Sequence, residues 1–260
     1  MKNIFIIGTG KCGETFLNKV LKKDRTIDSY DESRPLLQSY YKFIRYNKLK
    51  VDEAPLFLNI KKTITNFNKK KKIYLESSSF LSFHAKDLVN KFNSKIIVLL
   101  RNPNDVCKDL QESGWYKNKY YKSNDNSVLG YQGISTKFSN KHHNFSRLAP
   151  KGKLFLRWNK LNPLAKSKWY WDEVNTRLIK DLKKINKKNY MIVRIEDLKF
   201  EKYVEICNWL KIKPILSKIQ LKFLRNIQQI KNIKIKDRDK KILGSYKSKF
   251  EKKFYPENFR

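Results

Sequence analysis

Four short runs of β-branched and other apolar residues interrupt an otherwise polar chain. Each is three to five residues long and nearly free of polar positions, which is typical of strands buried on both faces of a parallel sheet. Segments with the spacing of amphipathic helices separate these runs. We therefore predict an α/β fold with three layers (αβα), in which helices cover both faces of a central parallel sheet. The predicted strands are Ile4–Ile7, Ile73–Leu75, Ile96–Leu100 and Met191–Ile195. The predicted helices are Glu14–Lys22, Leu36–Tyr46, Ala85–Phe92, Asp105–Gln111, Trp171–Ile185 and Lys202–Leu210.

Polar residues follow each predicted strand. In open parallel sheets, ligands bind at the edge where the carboxyl ends of the strands meet. This rule brings four segments to one edge, namely Gly8–Thr15, Glu76–Ser79, Arg101–Asp105 and Arg194–Asp197. We expect a binding site at this edge.

Residues 114–165 differ in composition from the rest of the chain. They are rich in Tyr, Lys, Asn and Ser, and Gly and Pro residues interrupt them. A stretch of this length predicts a lid, a binding loop or a partly disordered segment within one domain that covers residues 1–260. Its aromatic residues suit an acceptor surface, although solvated loop aromatics would give the same pattern. These residues are Trp115, Tyr116, Tyr120, Tyr121 and Tyr131.

The chain is strongly basic, with 59 Lys and Arg residues against 24 Asp and Glu residues and a formal net charge of +35 at pH 7. Lysines occur along the whole chain, which is consistent with a solvated cationic surface. The same charge would attract nucleotides, acidic glycans, nucleic acid or membrane surfaces. Charge alone does not choose among these partners; nucleic acid is disfavoured but stays open.

Other compositional features favour a cytoplasmic protein. The three cysteines, Cys12, Cys107 and Cys207, lack the C-x-x-C spacing of zinc sites, and we expect reduced thiols and no metal. No run of about 18 uncharged apolar residues occurs, so no membrane span is expected. The first apolar run is too short for the core of a signal peptide.

The first predicted strand leads into a glycine-rich turn, Gly8–Gly13, and then into a helix. This order is typical of P-loop nucleotide-binding folds, because backbone N–H groups at the helix start converge on an anion. A kinase or NTPase loop would carry its lysine directly after the last glycine. Here Glu14 occupies that position, where a carboxylate would repel a γ-phosphate, and the lysine is Lys11. The loop therefore disfavours a nucleotide kinase.

The displaced lysine makes Lys11–Thr15 resemble the K-S-G-T-T loop of P-loop sulfotransferases that use 3′-phosphoadenosine-5′-phosphosulfate (PAPS), with departures at Cys12 and Glu14. A second segment, Arg101–Asp105, resembles the R-N-P-x-D motif of the same family. The motifs are most similar to those of bacterial and Golgi carbohydrate sulfotransferases. The resemblance implies transfer of a sulfuryl group from PAPS, without a metal, to a hydroxyl-bearing acceptor. A glycan is slightly favoured as the acceptor, and a lipid head group, a peptide tyrosine and a small molecule stay open.

The resemblance also implies which residues bind the donor. Arg101 would bind the 3′-phosphate together with a Ser eight residues later, a position that Asp109 occupies here. Either Asp109 turns away and Ser113 or Lys108 replaces that Ser, or the 3′-phosphate site is weakened. The residues implied for the 5′-phosphosulfate are Gly10, Lys11, Cys12, Gly13, Glu14, Thr15 and Phe16. Those implied by a weak match to a C-terminal 3′-phosphate segment are Lys240 and Lys241.

Catalysis in this family needs a cation at the bridging oxygen of the leaving group and a base for the acceptor hydroxyl. We assign the cation to Lys11. The segment after the second predicted strand resembles one that carries a glutamate base in glycan sulfotransferases, which makes Glu76 the candidate base. His84 is the rival base, because histidine titrates near neutral pH. A catalytically degenerate relative and a polyanion- or nucleic-acid-binding protein stay open, because the net charge, Glu14 and Asp109 favour them.

Overall fold

The computed structural model describes residues 2–66, 72–117, 145–227, 237 and 248–259. Its strands are β1 (Lys2–Ile7), β2 (Ile27–Asp31), β3 (Ile73–Ser77), β4 (Lys95–Leu100) and β5 (Tyr190–Arg194). Its helices are α1 (Glu14–Leu21), α2 (Pro35–Asn47), α3 (Ala54–Thr65), α4 (Ala85–Phe92), α5 (Pro103–Glu112), α6 (Lys153–Asn159), α7 (Pro163–Leu182), α8 (Phe200–Leu210), α9 (Lys218–Ile227) and α10 (Lys249–Phe254). The strands form one parallel sheet in the order β2-β3-β1-β4-β5, and the predicted three-layer α/β architecture is confirmed. None of the helices in these ranges is long and apolar enough to cross a membrane.

The three central strands are enclosed by the helices. In β1, β3 and β4 every residue is buried except the first of β1 and of β4, as expected for strands covered on both faces. Ile6 of β1 pairs with Ser77 of β3, and Ile7 pairs with Val98 of β4. The central strands therefore end together, and the loops that follow them share one edge of the sheet.

The edge strand β2 is the described strand that the apolar pattern did not predict, and the helices α3, α6, α9 and α10 were not predicted either. Only Ile27 of the five residues of β2 is buried, and the following positions are polar or partly exposed. Strand β2 pairs with β3 so that Asp31 lies opposite Ser77. The end of β2 therefore brings Asp31 and the next residue, Glu32, to the same edge as the other strand ends.

Helix α7 ties together the backbone segments that follow β1 and β4. The indole Nε1 of Trp171 donates to the carbonyl of Arg101 at 3.1 Å, and the hydroxyl of Tyr170 donates to the carbonyl of Thr9 at 2.9 Å. One turn earlier, Lys168 forms a buried ion pair with Glu251 of α10. These contacts hold the loops at the functional edge in fixed positions.

The predicted variable region, residues 114–165, is described only at its two ends. Tyr116 is buried, and its hydroxyl donates to the carbonyl of Leu148 at 2.6 Å, so it belongs to the core and not to an acceptor surface. The ring centroid of Trp115 lies 5.1 Å from that of Tyr170, and Trp115 borders a cavity at the edge where the strands end. Tyr120, Tyr121 and Tyr131 lie outside the described residues.

Candidate active site

A cavity of about 250 Å³ opens at the edge where the strands end. The loop after β1, the end of β2, the turn after β3 and the end of α5 all contribute to its wall. This is the edge at which the strand-end rule predicts a binding site. The residues that line it are Thr9, Gly10, Lys11, Glu14, Thr15, Asp31, Glu32, Ser78, Ser79, Phe80, Leu110, Trp115 and Ser146.

The glycine loop adopts a compact, left-handed conformation. Gly10, Lys11 and Gly13 have φ angles of 91°, 60° and 95°, a region that glycine enters without steric cost. At Gly13 a side chain is also excluded by packing, because a Cβ atom would lie 2.8 Å from Cδ1 of Ile195. Lys11 is exposed and lies on the cavity wall. The loop thus has the shape of an anion cradle with one cation at its rim.

The carboxylate of Glu14 lies inside this cradle. Its Oε1 accepts from the backbone N–H of Gly10, and its Oε2 accepts from that of Cys12, each at 3.0 Å. Glu14 is only 8% exposed. Burial raises the pKa of Glu14 and the charge of Asp31 adds to the rise, while the loop amides oppose it. The loop therefore binds an anion that comes from its own chain.

Glu32 also lines the cavity. It follows β2 with a φ of 47°, an uncommon conformation for a non-glycine residue. Its Oε1 accepts from the hydroxyl of Ser79 at 3.0 Å. Burial raises the pKa of Glu32 to about 7, the charges of Glu14 and Asp31 add to the rise, and Ser79 and Lys42 oppose it.

A fully buried lysine, Lys42 of α2, lies behind the cavity wall. Its Nζ donates to the carbonyl of Ser79 at 3.0 Å and to the hydroxyl of Tyr170 at 2.9 Å. Burial lowers the pKa of Lys42 to about 7, and the carboxylates of Glu32 and Glu14 oppose this lowering. Lys42 therefore connects two elements, the turn that contains Ser79 and helix α7. Tyr170 of α7 extends this connection to the glycine loop through its bond to the carbonyl of Thr9.

Arg101, directly after β4, forms an ion pair with Asp109 of α5. Its Nη1 donates to Asp109 Oδ2 at 2.5 Å and to the carbonyl of Lys11 at 2.9 Å. Asp109 therefore does not turn away, which was one of the two possibilities open from the sequence. The hydroxyl of Ser113, directly after α5, donates to the carbonyl of Asp109 at 2.8 Å. Pro103 occupies the first turn of α5, where its missing N–H has no cost.

A family model described as the sulfotransferase domain matches residues 1–256. The chain belongs to the sulfotransferase domain family. No curated protein sequence matches it. Among solved structures, a sulfotransferase from Alicyclobacillus acidocaldarius is similar with a TM-score of 0.53, 14% identity and coverage of 94% of this chain and 90% of that chain. The sulfotransferase domain from the curacin biosynthetic pathway is similar with a TM-score of 0.51, 14% identity and coverage of 95% and 99%. At such low identity these likenesses concern the fold.

Neither of the two predicted bases, Glu76 and His84, is among the described residues that line the cavity. Glu76 is fully buried, and its carboxylate accepts from the side chains of Ser33, Gln38 and Tyr74 at 2.6 to 2.7 Å. Its oxygens therefore serve to join β3 to the start of α2. His84 is also fully buried, and burial lowers its pKa well below the ordinary range.

The residues predicted for the donor are divided between the cavity and the core. Gly10, Lys11, Glu14 and Thr15 line the cavity. Phe16 is buried in the core, so its side chain does not reach the site. The thiol of Cys12 is buried 3.0 Å from the hydroxyl of Thr9, and burial raises its pKa, so it stays protonated. Two predicted residues, Lys240 and Lys241, lie outside the described residues.

The acidic end of β2 and the buried lysine were not predicted from the sequence. Asp31 accepts from the hydroxyl of Thr15 at 2.8 Å, and Glu32 lines the cavity beside it. Had β2 been recognised, the strand-end rule would have placed both at the functional edge. Lys42 gave no such signal, because one lysine among many on a helix has no pattern that marks it as buried. Among the residues that the structure describes, no three potential metal ligands form a cluster.

Proposed function

We propose that this sulfotransferase domain moves a sulfuryl group from PAPS to a hydroxyl-bearing acceptor. The observation that carries the proposal is the loop after β1, whose left-handed turn includes Lys11, a residue that lines the same cavity as Glu32. A lysine at this early position resembles the donor loop of the family, whereas a kinase would need it directly after Gly13. The neighbouring end of β4 supplies Arg101, which matches the residue that binds the 3′-phosphate in the family.

We assign Lys11 to the charge that develops on the leaving group. Sulfuryl transfer resembles phosphoryl transfer, in which in-line displacement depends mainly on positioning and on stabilising charge in the transition state. A cation beside the bridging oxygen interacts more strongly in the transition state than in the ground state, and this difference lowers the barrier. Arg101 supports Lys11 by donating to its carbonyl at 2.9 Å.

We assign the general base to Glu32 in place of Glu76 or His84. A base must reach the acceptor hydroxyl, and of these three residues Glu32 alone lines the cavity. A pKa of about 7 suits proton transfer near neutral pH. The hydroxyl of Ser79 orients one oxygen of Glu32, and Lys42 holds Ser79 in turn through its carbonyl.

We propose a glycan as the acceptor class. Trp115 supports this assignment because its aromatic ring borders the cavity beside Ser146 and Leu110, and aromatic faces stack on sugar rings. The motif resemblance to carbohydrate sulfotransferases points to the same class. We also retain a cytoplasmic location as a proposal, since Cys12, Cys107 and Cys207 are free thiols.

The proposal is tested by measuring the release of adenosine 3′,5′-bisphosphate from PAPS in the presence of mono- and oligosaccharides. A thermal-shift series with the bisphosphate, ADP and no ligand provides the binding control, because a ligand that binds only the folded chain raises its melting temperature. Stabilisation by the bisphosphate but not by ADP, together with acceptor-dependent release, is expected. Indifference to both nucleotides, combined with salt-sensitive binding of RNA or DNA, would instead support the polyanion-binding alternative.

A further inference from the structure

We propose that Glu14 is a built-in competitor of the donor, whose carboxylate must leave the glycine loop before the 5′-phosphosulfate can bind there. This inference rests on the proposed function, because it concerns the same loop and the same donor. It adds a property that the donor-loop resemblance does not contain: the loop carries its own anion.

The hydrogen bonds of Glu14 are those that a bound anion would make. The two carboxylate oxygens accept from the N–H groups of Gly10 and Cys12 at 3.0 Å each. Backbone N–H groups at the start of a helix are the usual ligands of a phosphate in loops of this kind. An N–H group donates one good hydrogen bond at a time, so a donor phosphate and Glu14 cannot both occupy these positions.

The loop is shaped to accommodate this carboxylate. A Cβ atom on Gly8 would lie 2.5 Å from Glu14 Oε1 and 2.9 Å from the carbonyl of Leu99. Only glycine at position 8 therefore lets the carboxylate fold back against the end of β1. Because Glu14 also lines the cavity, its side chain borders the space through which it would be displaced.

The charges around Glu14 make its hold on the loop dependent on pH. Asp31 and Glu32 face it from the end of β2, and Lys42 faces it from α2. Cys12 of the loop and Tyr170 of α7 are both uncharged near neutral pH, because burial raises the pKa of each. Lys11 is exposed at the rim of the same loop. Burial also raises the pKa of Glu14, so acid neutralises it at a higher pH than an exposed glutamate and removes its competition with the donor.

The test is calorimetric titration of the full chain with adenosine 3′,5′-bisphosphate at pH 8 and at pH 5.5. Three variants are compared with the wild type: Glu14→Thr, Glu14→Gln and Glu112→Gln. Glu14→Thr introduces the residue of the family loop and cannot reach the amides. Glu14→Gln keeps the shape and removes the charge, and it decides the matter if the Thr variant does not fold. Glu112→Gln removes one negative charge from an exposed position at the end of α5 and serves as the matched control.

At pH 8 we expect Glu14→Thr to bind the bisphosphate about ten- to a hundredfold more tightly than the wild type, since it frees two amides from a charged competitor. The ratio of the wild-type dissociation constant to that of Glu14→Thr is expected to be smaller at pH 5.5, because acid neutralises Glu14 in the wild type. Protonation of the ligand affects both constants equally and cancels in this ratio. Glu112→Gln should match the wild type at both pH values.

Two other results have distinct meanings. If the wild type binds and neither Glu14 variant binds more tightly at pH 8, the competitor inference is refuted and the proposed function stands. If no variant binds the bisphosphate at either pH although each melts cooperatively, the PAPS proposal itself fails, and the inference fails with it.

Discussion

Replacing Glu32 by Gln should destroy activity and stabilise the fold at the same time. Glutamine keeps the shape of the side chain and an oxygen that can accept from the hydroxyl of Ser79. It cannot take a proton from an acceptor hydroxyl, and loss of a general base typically lowers turnover by about 10² to 10⁴. It also removes the cost of keeping a carboxylate ionised in a cavity wall beside Glu14 and Asp31.

The magnitude of the stabilisation follows from the pKa of Glu32. Burial raises that pKa from an ordinary value of 4.5 to about 7, a rise that corresponds to about 3 kcal/mol. Because the pKa of Glu32 is raised in the folded state, the contribution of Glu32 to the free energy of unfolding is fully present below pH 4.5, where its carboxyl is protonated. This contribution is lost as the pH increases through 7. Above pH 7 the wild type is therefore destabilised by the ionised carboxylate of Glu32, and Glu32→Gln, which cannot ionise, is not.

Urea denaturation of both proteins at pH 5 and pH 8 measures this difference. We expect Glu32→Gln to be more stable by up to about 3 kcal/mol at pH 8, equivalent to a melting temperature higher by about 6 to 10 °C. At pH 5 the two proteins should differ little. The exposed control Glu112→Gln should show neither the gain in stability nor the loss of turnover. A Glu32→Gln protein that is no more stable at pH 8 and retains wild-type turnover would refute both the electrostatic argument and the assignment of the base.

Three further substitutions test other parts of the site and the core. Lys11→Ala should abolish turnover and leave bisphosphate binding by calorimetry nearly intact; normal turnover would remove Lys11 from catalysis. Asp109→Ser should remove the carboxylate that Arg101 contacts and tighten binding of the bisphosphate about tenfold, with no gain for adenosine 5′-phosphosulfate, which lacks the 3′-phosphate; an equal gain for both ligands would contradict the assigned 3′-site. Glu251→Ala should cost about 3 to 5 kcal/mol in urea denaturation because it leaves Lys168 buried without its partner, whereas the double variant Lys168→Met/Glu251→Leu should cost much less; equal losses would show that packing and not charge dominates.

The architecture was largely predictable because buried parallel strands have a distinctive sequence pattern. The predicted runs Ile4–Ile7, Ile73–Leu75, Ile96–Leu100 and Met191–Ile195 all lie in or at the end of observed strands. The first three belong to the central strands, which require continuous apolar residues because helices cover both of their faces. Edge strands β2 and β5 each pair on one side only and bury one of their five residues, but β5 carries three apolar residues in succession, Met191–Val193. No such apolar run marks β2. Its polar sequence, I-D-S-Y-D, is compatible with a loop as readily as with an edge strand.

The site was predictable where a backbone motif defined it and unpredictable where long-range packing did. The glycine loop, Lys11 and Arg101 could be recognised because strand, turn and helix follow one another in the sequence. The fate of Glu76 depended instead on Ser33 and Gln38, which are distant in sequence and satisfy its carboxylate. Local sequence does not show that such partners exist.

The two acidic departures from the family motifs, Glu14 and Asp109, share one physical logic. Each carboxylate is held by a group that the family uses to bind a donor phosphate: Glu14 by the loop amides and Asp109 by Arg101. An empty cradle of inward-facing N–H groups and a largely buried guanidinium would each be costly without an anion, and the carboxylates remove that cost. Under the proposed function, the same contacts weaken the binding of the donor, because its phosphates have to displace carboxylates that are already in place. Under the proposed function, the net charge of +35 attracts anions to the chain in general, while the loop amides and Arg101 already hold carboxylates, so selection among anions falls to the cavity and not to the overall charge.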